Sequence, residues 1–194
     1  ENVMLDPKTA IGMVSLKVAD LDAQIEFYRQ VIGLSVLDEE NGRVVLGAGE
    51  RALVELIAQP DGQKLNHATG LYHLAIRVPN RADLGAWLVH YSELDGPYWQ
   101  GASDHEVSEA LYLSDPEGNG IEIYTDRPKS EWTFLEGGGI RLVTEPLDLP
   151  SLVNAAHNQA WEGMPDGTDL GHIHLQVSDI AESNAFYTGL LGFD

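Results

Sequence analysis

The sequence predicts an α+β protein in which paired βαβββ modules form a curved, cavity-bearing sheet. Three observations predict it: an internal repeat, a change of hydrophobic period inside each copy, and tight turns spaced for hairpins after each helix. The segment MVSLKVADLDAQIEFYRQVIGLS (13–35) aligns without gaps on HIHLQVSDIAESNAFYTGLLGFD (172–194), with Leu, Val, Asp, Phe-Tyr and Gly at matching positions. Self-similarity at a fixed offset marks one structural unit used more than once. In each copy, apolar residues at period two (Val14, Leu16, Val18; Ile173, Leu175, Val177) specify a strand. An Asp placed to cap a helix follows, and Gly33 or Gly192 stops that helix.

The remaining elements follow in order. After the first helix, LSVLDEE, VVLGAG and RALVELIAQ read as three strands, the first pair joined at Asn41-Gly42, a strong hairpin turn. A weaker copy, LYHLAIRVPNRADLGAWLVHYSEL (71–94), repeats the strand, uses Asn80 as the cap, and carries Leu84, Trp87, Leu88 and Tyr91 on its helix. It continues through GPYWQGASDHEV, SEALYLSDP and GIEIYTDRP, with Asp115-Pro116-Glu117-Gly118-Asn119-Gly120 as the tight connection. The predicted organisation is therefore a module pair over 11–127 (11–60 and 71–126), a linker over 128–170 with a short helix near 149–157, and the start of a truncated third module over 171–194. A strand and helix alone are not stable in water, so the last segment is expected to pack on the first pair or to exchange with another chain in a homodimer.

Composition limits the functions. With 31 Asp and Glu against 11 Lys and Arg, the formal charge of −20 repels nucleic acid and anionic membranes. The absence of cysteine excludes disulfides, thiolate chemistry and Cys-held metal, leaving His and carboxylate as metal ligands. No apolar run reaches membrane-spanning length and the first residues lack a signal-peptide pattern, so a cytoplasmic location is expected.

Strand phase selects the candidate site. Side chains alternate across a strand, so the face away from the helix carries Met13, His73 and His172 at equivalent positions of the three copies. The same test on the last strand of the first two copies selects Glu55 and Glu122. His67, His90 and His157 have no partner in phase and are expected at the surface.

With these residues in place, the sequence resembles the vicinal-oxygen-chelate superfamily of glyoxalases, bleomycin-resistance proteins and extradiol dioxygenases. The most specific stretch is HEVSEALYLSDPEGNGIE, in which His105, Tyr112, Asp115-Pro116, Gly118 and Glu122 look like the extradiol dioxygenase pattern. Together with GHIHLQVSD, it is most similar to bacterial catechol-2,3-dioxygenase-like proteins. The resemblance implies Glu122 and His73 as metal ligands, Tyr112 as a phenol beside them, and His105 as the acid/base. Met13 stands where a first imidazole belongs, so Glu55 is the expected completion of the set, for Fe(II) or Mn(II) and alternatively Ni or Zn. His172 matches the ligand position of the third copy. The implied activity is divalent-metal extradiol cleavage of a catechol-like aromatic diol. A glyoxalase-type isomerase or lyase acting on a small carbonyl substrate, and a non-catalytic binding or resistance module, are the alternatives.

Overall fold

The computed structural model describes residues 4–65, 68–94, 96–157 and 159–193; His67 lies outside them. The first module runs β1 (Val14–Val18), α1 (Leu21–Phe27), β2 (Ser35–Glu40), β3 (Arg43–Ala48) and β4 (Arg51–Ala58). Its strands form a four-stranded sheet in the order β1-β4-β3-β2. The second runs β5 (Gly70–Arg77), α2 (Arg81–Glu93), β6 (Trp99–Asp104), β7 (Ser108–Ser114) and β8 (Gly120–Asp126). Its strands take the equivalent order β6-β7-β8-β5, and one more strand, β9 (Asp169–Gln176), is added at the edge.

Local chemistry explains the element ends. Asp20 and Asn80 accept from the amides of Ala23 and Asp83, each at 3.0 Å, satisfying donors that a helix start leaves free. After α1 the chain makes a π-helical turn over Tyr28–Ile32 and stops at Gly33, whose φ of 92° lies in the left-handed region that glycine occupies without strain. The Asp115–Asn119 turn is held from within, because the Asp115 carboxylate accepts from the amides of Glu117 and Asn119 and from the Asn119 side chain. Glu117 at its tip reaches the other module and accepts from the amides of Ala19 and Asp20 at 2.8 and 2.9 Å.

One hydrophobic core joins the two modules. Leu16, Leu46, Leu53 and Leu56 of the first sheet and Leu74, Ile76, Leu111 and Ile123 of the second pack with Tyr28, Leu84 and Trp87 from the helical segments. The alternation leaves the opposite sheet face free to carry polar side chains.

Residues 128–168 contain a short 3₁₀ turn (Lys129–Glu131) and α3 (Leu149–Ala155). Helix α3 crosses α2 at Gly85, where a Cβ would stand 2.3 Å from the Leu152 carbonyl oxygen, so only glycine permits this approach. Part of the same segment runs along the second sheet through a bridge between Asp104 and Glu145. Beyond it, β9 pairs antiparallel with β5 of the same chain and leads into α4 (Ile180–Asn184). No helix among the described residues is long and apolar enough to cross a membrane.

Candidate metal centre

Three strands place the centre. Strand β5 pairs parallel with β8 and antiparallel with β9, in a register that aligns Ala75 with Glu122 on one side and with His172 on the other. Strand β7 extends the row, with Tyr112 opposite Glu122. Side chains opposite one another share a face, so Tyr112, Glu122, Ala75 and His172 form one line across the sheet. His73 lies two residues before Ala75 on that face, and the small Ala75 leaves room above the strand for the longer side chains to meet.

They meet closely. His73 Nε2 lies 2.9 Å from Glu122 Oε2, His172 Nε2 lies 3.1 Å from the same oxygen, and the two nitrogens are 3.2 Å apart. His73 and Glu122 are buried, while His172 is half exposed toward the cavity. Neutral imidazoles that both donate to Glu122 turn two N–H groups toward each other, so protons alone satisfy this triangle poorly. A cation at its centre instead uses all three lone pairs at once. Donors at right angles around a metal at about 2.1 Å stand about 3 Å apart, which matches all three edges. The residues therefore fit a divalent ion.

The electrostatics are consistent with a ligating carboxylate. Burial opposes ionisation of Glu122, but hydrogen bonds from His172 and His73 outweigh it and bring its pKa down to about 2. Burial first, and the Glu122 charge second, hold the Tyr112 phenol well above the ordinary tyrosine range. His174, two residues after His172, is pushed down by burial and by the neighbouring His73 and His172 rings, which favours its neutral form.

His105 and Tyr112 form a second unit beside the triangle. His105 Nδ1 lies 2.7 Å from the Val143 carbonyl oxygen, which can only accept, so Nδ1 carries the proton. In the neutral ring Nε2 is then an acceptor, 2.9 Å from the Tyr112 hydroxyl that donates to it. A cavity of about 1130 Å³ opens over both units, lined by His73, Glu122, His172 and His174 on the sheet side and by Leu142 and Val143 from the crossing segment.

The expected ligand set is corrected at one position. Glu55 does not join His73 and Glu122: it lies on the first sheet, where Ser15 and Arg43 both donate to its carboxylate and lower its pKa. Among the described residues the third donor of the cluster is His172. Met13 precedes β1 on that first sheet and is 37% exposed. His90 is less exposed than expected, since it stacks on Trp161 and contacts the Gln30 carbonyl, whereas His157 is exposed. Sequence reasoning missed Val143, which fixes the His105 tautomer from a segment read as linker. It also missed Tyr124, which packs 5.2 Å from the His172 ring. Strand alternation marks Tyr124, which lies two residues beyond Glu122 on the same face.

Comparison with known proteins shows the family. The family model described as Glyoxalase/Bleomycin resistance protein/Dioxygenase superfamily matches residues 10–123. The chain belongs to this superfamily. It is 43% identical over 189 residues to the catechol-2,3-dioxygenase of Bacillus subtilis (strain 168), covering 96% of this chain and 66% of that protein's length. The glyoxalase/bleomycin resistance protein/dioxygenase of Alicyclobacillus acidocaldarius is 15% identical, with a TM-score of 0.50 over 66% of this chain and 98% of its own. The cppA protein of Streptococcus pneumoniae TIGR4 is 17% identical, with a TM-score of 0.54 over 87% of this chain and 63% of its own. At these identities both structures speak for the superfamily fold alone.

Proposed function

We propose that this chain acts as a divalent-metal extradiol-type dioxygenase on a catechol-like aromatic diol, with His73, Glu122 and His172 holding Fe(II) or Mn(II). The convergence of two imidazoles and one carboxylate at the floor of a cavity carries this reading. The 43% identity to a protein named catechol-2,3-dioxygenase supports it. A divalent ion held by His73, Glu122 and His172 would supply the redox and Lewis-acid chemistry that joins a diol to dioxygen.

The chain's own groups supply the rest. His105 Nε2, the unprotonated ring nitrogen that accepts from Tyr112, takes a proton at the cavity wall and returns it later. Tyr112, kept protonated by its surroundings, donates a hydrogen bond and holds that ring in place. Neutral His174 and the adjacent Tyr72, with ring centroids 4.9 Å apart, offer flat faces to an aromatic ring. In the overall reaction the carbon–carbon bond beside the two hydroxyls breaks, and both atoms of O₂ enter the ring-opened product. No external reductant is consumed.

The test is anaerobic loading with Fe(II) or Mn(II), followed by catechol and oxygen. One oxygen molecule taken up per diol, with a yellow ring-opened product, is expected. Stoichiometric metal binding without oxygen uptake would instead favour a glyoxalase-type isomerase or lyase, and no metal binding would favour a binding module.

A further inference from the structure

The cavity differs sharply in charge from the molecule around it. The chain carries 31 acidic residues in 194, yet among the described residues lining the cavity Glu122 is the one carboxylate, and the metal triangle uses it. The cavity wall also holds one lysine or arginine among those residues, Lys64. Six arginines (Arg43, Arg51, Arg77, Arg81, Arg127, Arg141) each pair with a carboxylate. Lys64 makes no such pair among the described residues. Its ammonium donates instead to the Glu117 carbonyl oxygen at 2.9 Å. The Glu117 carboxylate itself is turned away, toward the Ala19 and Asp20 amides. Gly118 makes room for this arrangement, since a Cβ there would stand 2.3 Å from Lys64 Nζ.

We propose that Lys64 is a specificity residue and that the diol taken by this cavity carries an anionic substituent, of carboxylate type, which pairs with the Lys64 ammonium. The inference rests on the dioxygenase reading and names the substrate class for the same site. A surface charged at −20 repels an anionic ligand, so a cavity built for one must be cleared of carboxylates and given a cation of its own. Both conditions hold here. At about 1130 Å³ the cavity also exceeds what an unsubstituted diol fills, and both the metal triangle and Lys64 line it. The remaining bond to a neutral carbonyl orients the ammonium without cancelling its charge, so a carboxylate remains its stronger partner.

The test compares two probes of similar shape, 4-methylcatechol and a catechol with a carboxymethyl group at the same ring position. Their binding is followed by calorimetry on the Zn(II)-loaded protein, and their cleavage by oxygen uptake on the Fe(II)-loaded protein. The native protein should bind the carboxymethyl probe about five- to tenfold more tightly, and this preference should shrink as salt rises. Lys64→Ala should remove the preference while leaving affinity for 4-methylcatechol within about twofold, and Lys64→Arg should retain it. Equal affinity of the native protein for the two probes would overturn the proposal. So would a preference that survives in Lys64→Ala, or a loss in that variant shared equally by both probes, which would mark Lys64 as a support for the Glu117 turn. Cleavage of both probes with no preference sinks the Lys64 assignment alone, whereas binding and cleavage of neither sinks the dioxygenase reading with it.

Discussion

Glu55 and Glu122 occupy the same place in the repeat, yet only one lies in a site ready for metal. Glu55 is opposite Ser15 and Glu122 opposite Ala75, at matching positions of the two parallel strand pairs. The surroundings differ in three ways. Met13 stands where His73 stands, Arg43 and Ser15 donate to Glu55, and β1 is the edge of its sheet whereas β5 has β9 beyond it. The first row ends at Ser15, while the second continues to His172. A carboxylate at a ligand position is therefore not a ligand by itself. It becomes one when no cation has already satisfied it and a neighbouring strand brings the other donors.

The largest effect belongs to Glu122→Ala, which should abolish Fe(II) binding in calorimetric titration and lower turnover by about a thousandfold or more, whereas Glu55→Ala should leave both within about twofold. If Glu55→Ala also abolished binding, the two carboxylates would be equivalent after all. Next is His172→Ala, expected to weaken metal binding by about a hundredfold or more, since the row then ends at Ala75 as the first row ends at Ser15. Gly171→Ala probes the same arm from beside it. A Cβ at Gly171 would stand 1.7 Å from the Tyr124 hydroxyl oxygen, so Tyr124 must move off His172. A loss of about 1–3 kcal/mol in denaturant unfolding and about tenfold in metal affinity is expected.

A pH experiment sharpens the contrast without metal. The folded pKa of Glu122, about 2, lies below its ordinary value of 4.5, so its stabilising contribution is present above pH 4.5 and is lost as pH falls toward 2. Glu122→Gln should flatten the stability curve of the metal-free protein in that window, by up to about 3 kcal/mol. The smallest effect is Met13→His. Because β1 has no strand beyond it and Glu55 is held by Arg43, an added imidazole should change Fe(II) affinity less than twofold. A clear gain in the titration would show that the first row also can become a site.

Much of this arrangement was legible in the sequence. The offset between 13–35 and 172–194 reports the repeated strand and helix, because period-two and helical patterns are local and survive divergence. Strand phase brought out His73, Glu122 and His172 for the same reason. The fate of Glu55 was not legible. Arg43 lies on another strand, and whether its side chain reaches the carboxylate depends on the bulge in the β3–β4 pairing as well as on alternation. Nor did the sequence tell that β9 would lie against β5, since pairing between distant strands leaves no local pattern. The Val143 contact to His105 falls in a stretch without regular structure, where no periodicity indicates which backbone carbonyl faces a side chain.

The positions of the three donors along the chain have a consequence for how the molecule assembles. His73 and His172 are 99 residues apart, with Glu122 50 residues before the latter. A divalent ion held by all three would cross-link distant parts of one polypeptide and close two large loops in a single event. The entropy of closing such loops grows only as the logarithm of their length, so one strong chelation can offset most of it. The ion would then act as a clasp on β9, the strand at the outer edge of the second sheet. Hydrogen exchange along 169–176 would slow when metal is added, while β3 and β4, already tied to each other through Arg43 and Glu55, would keep their rates.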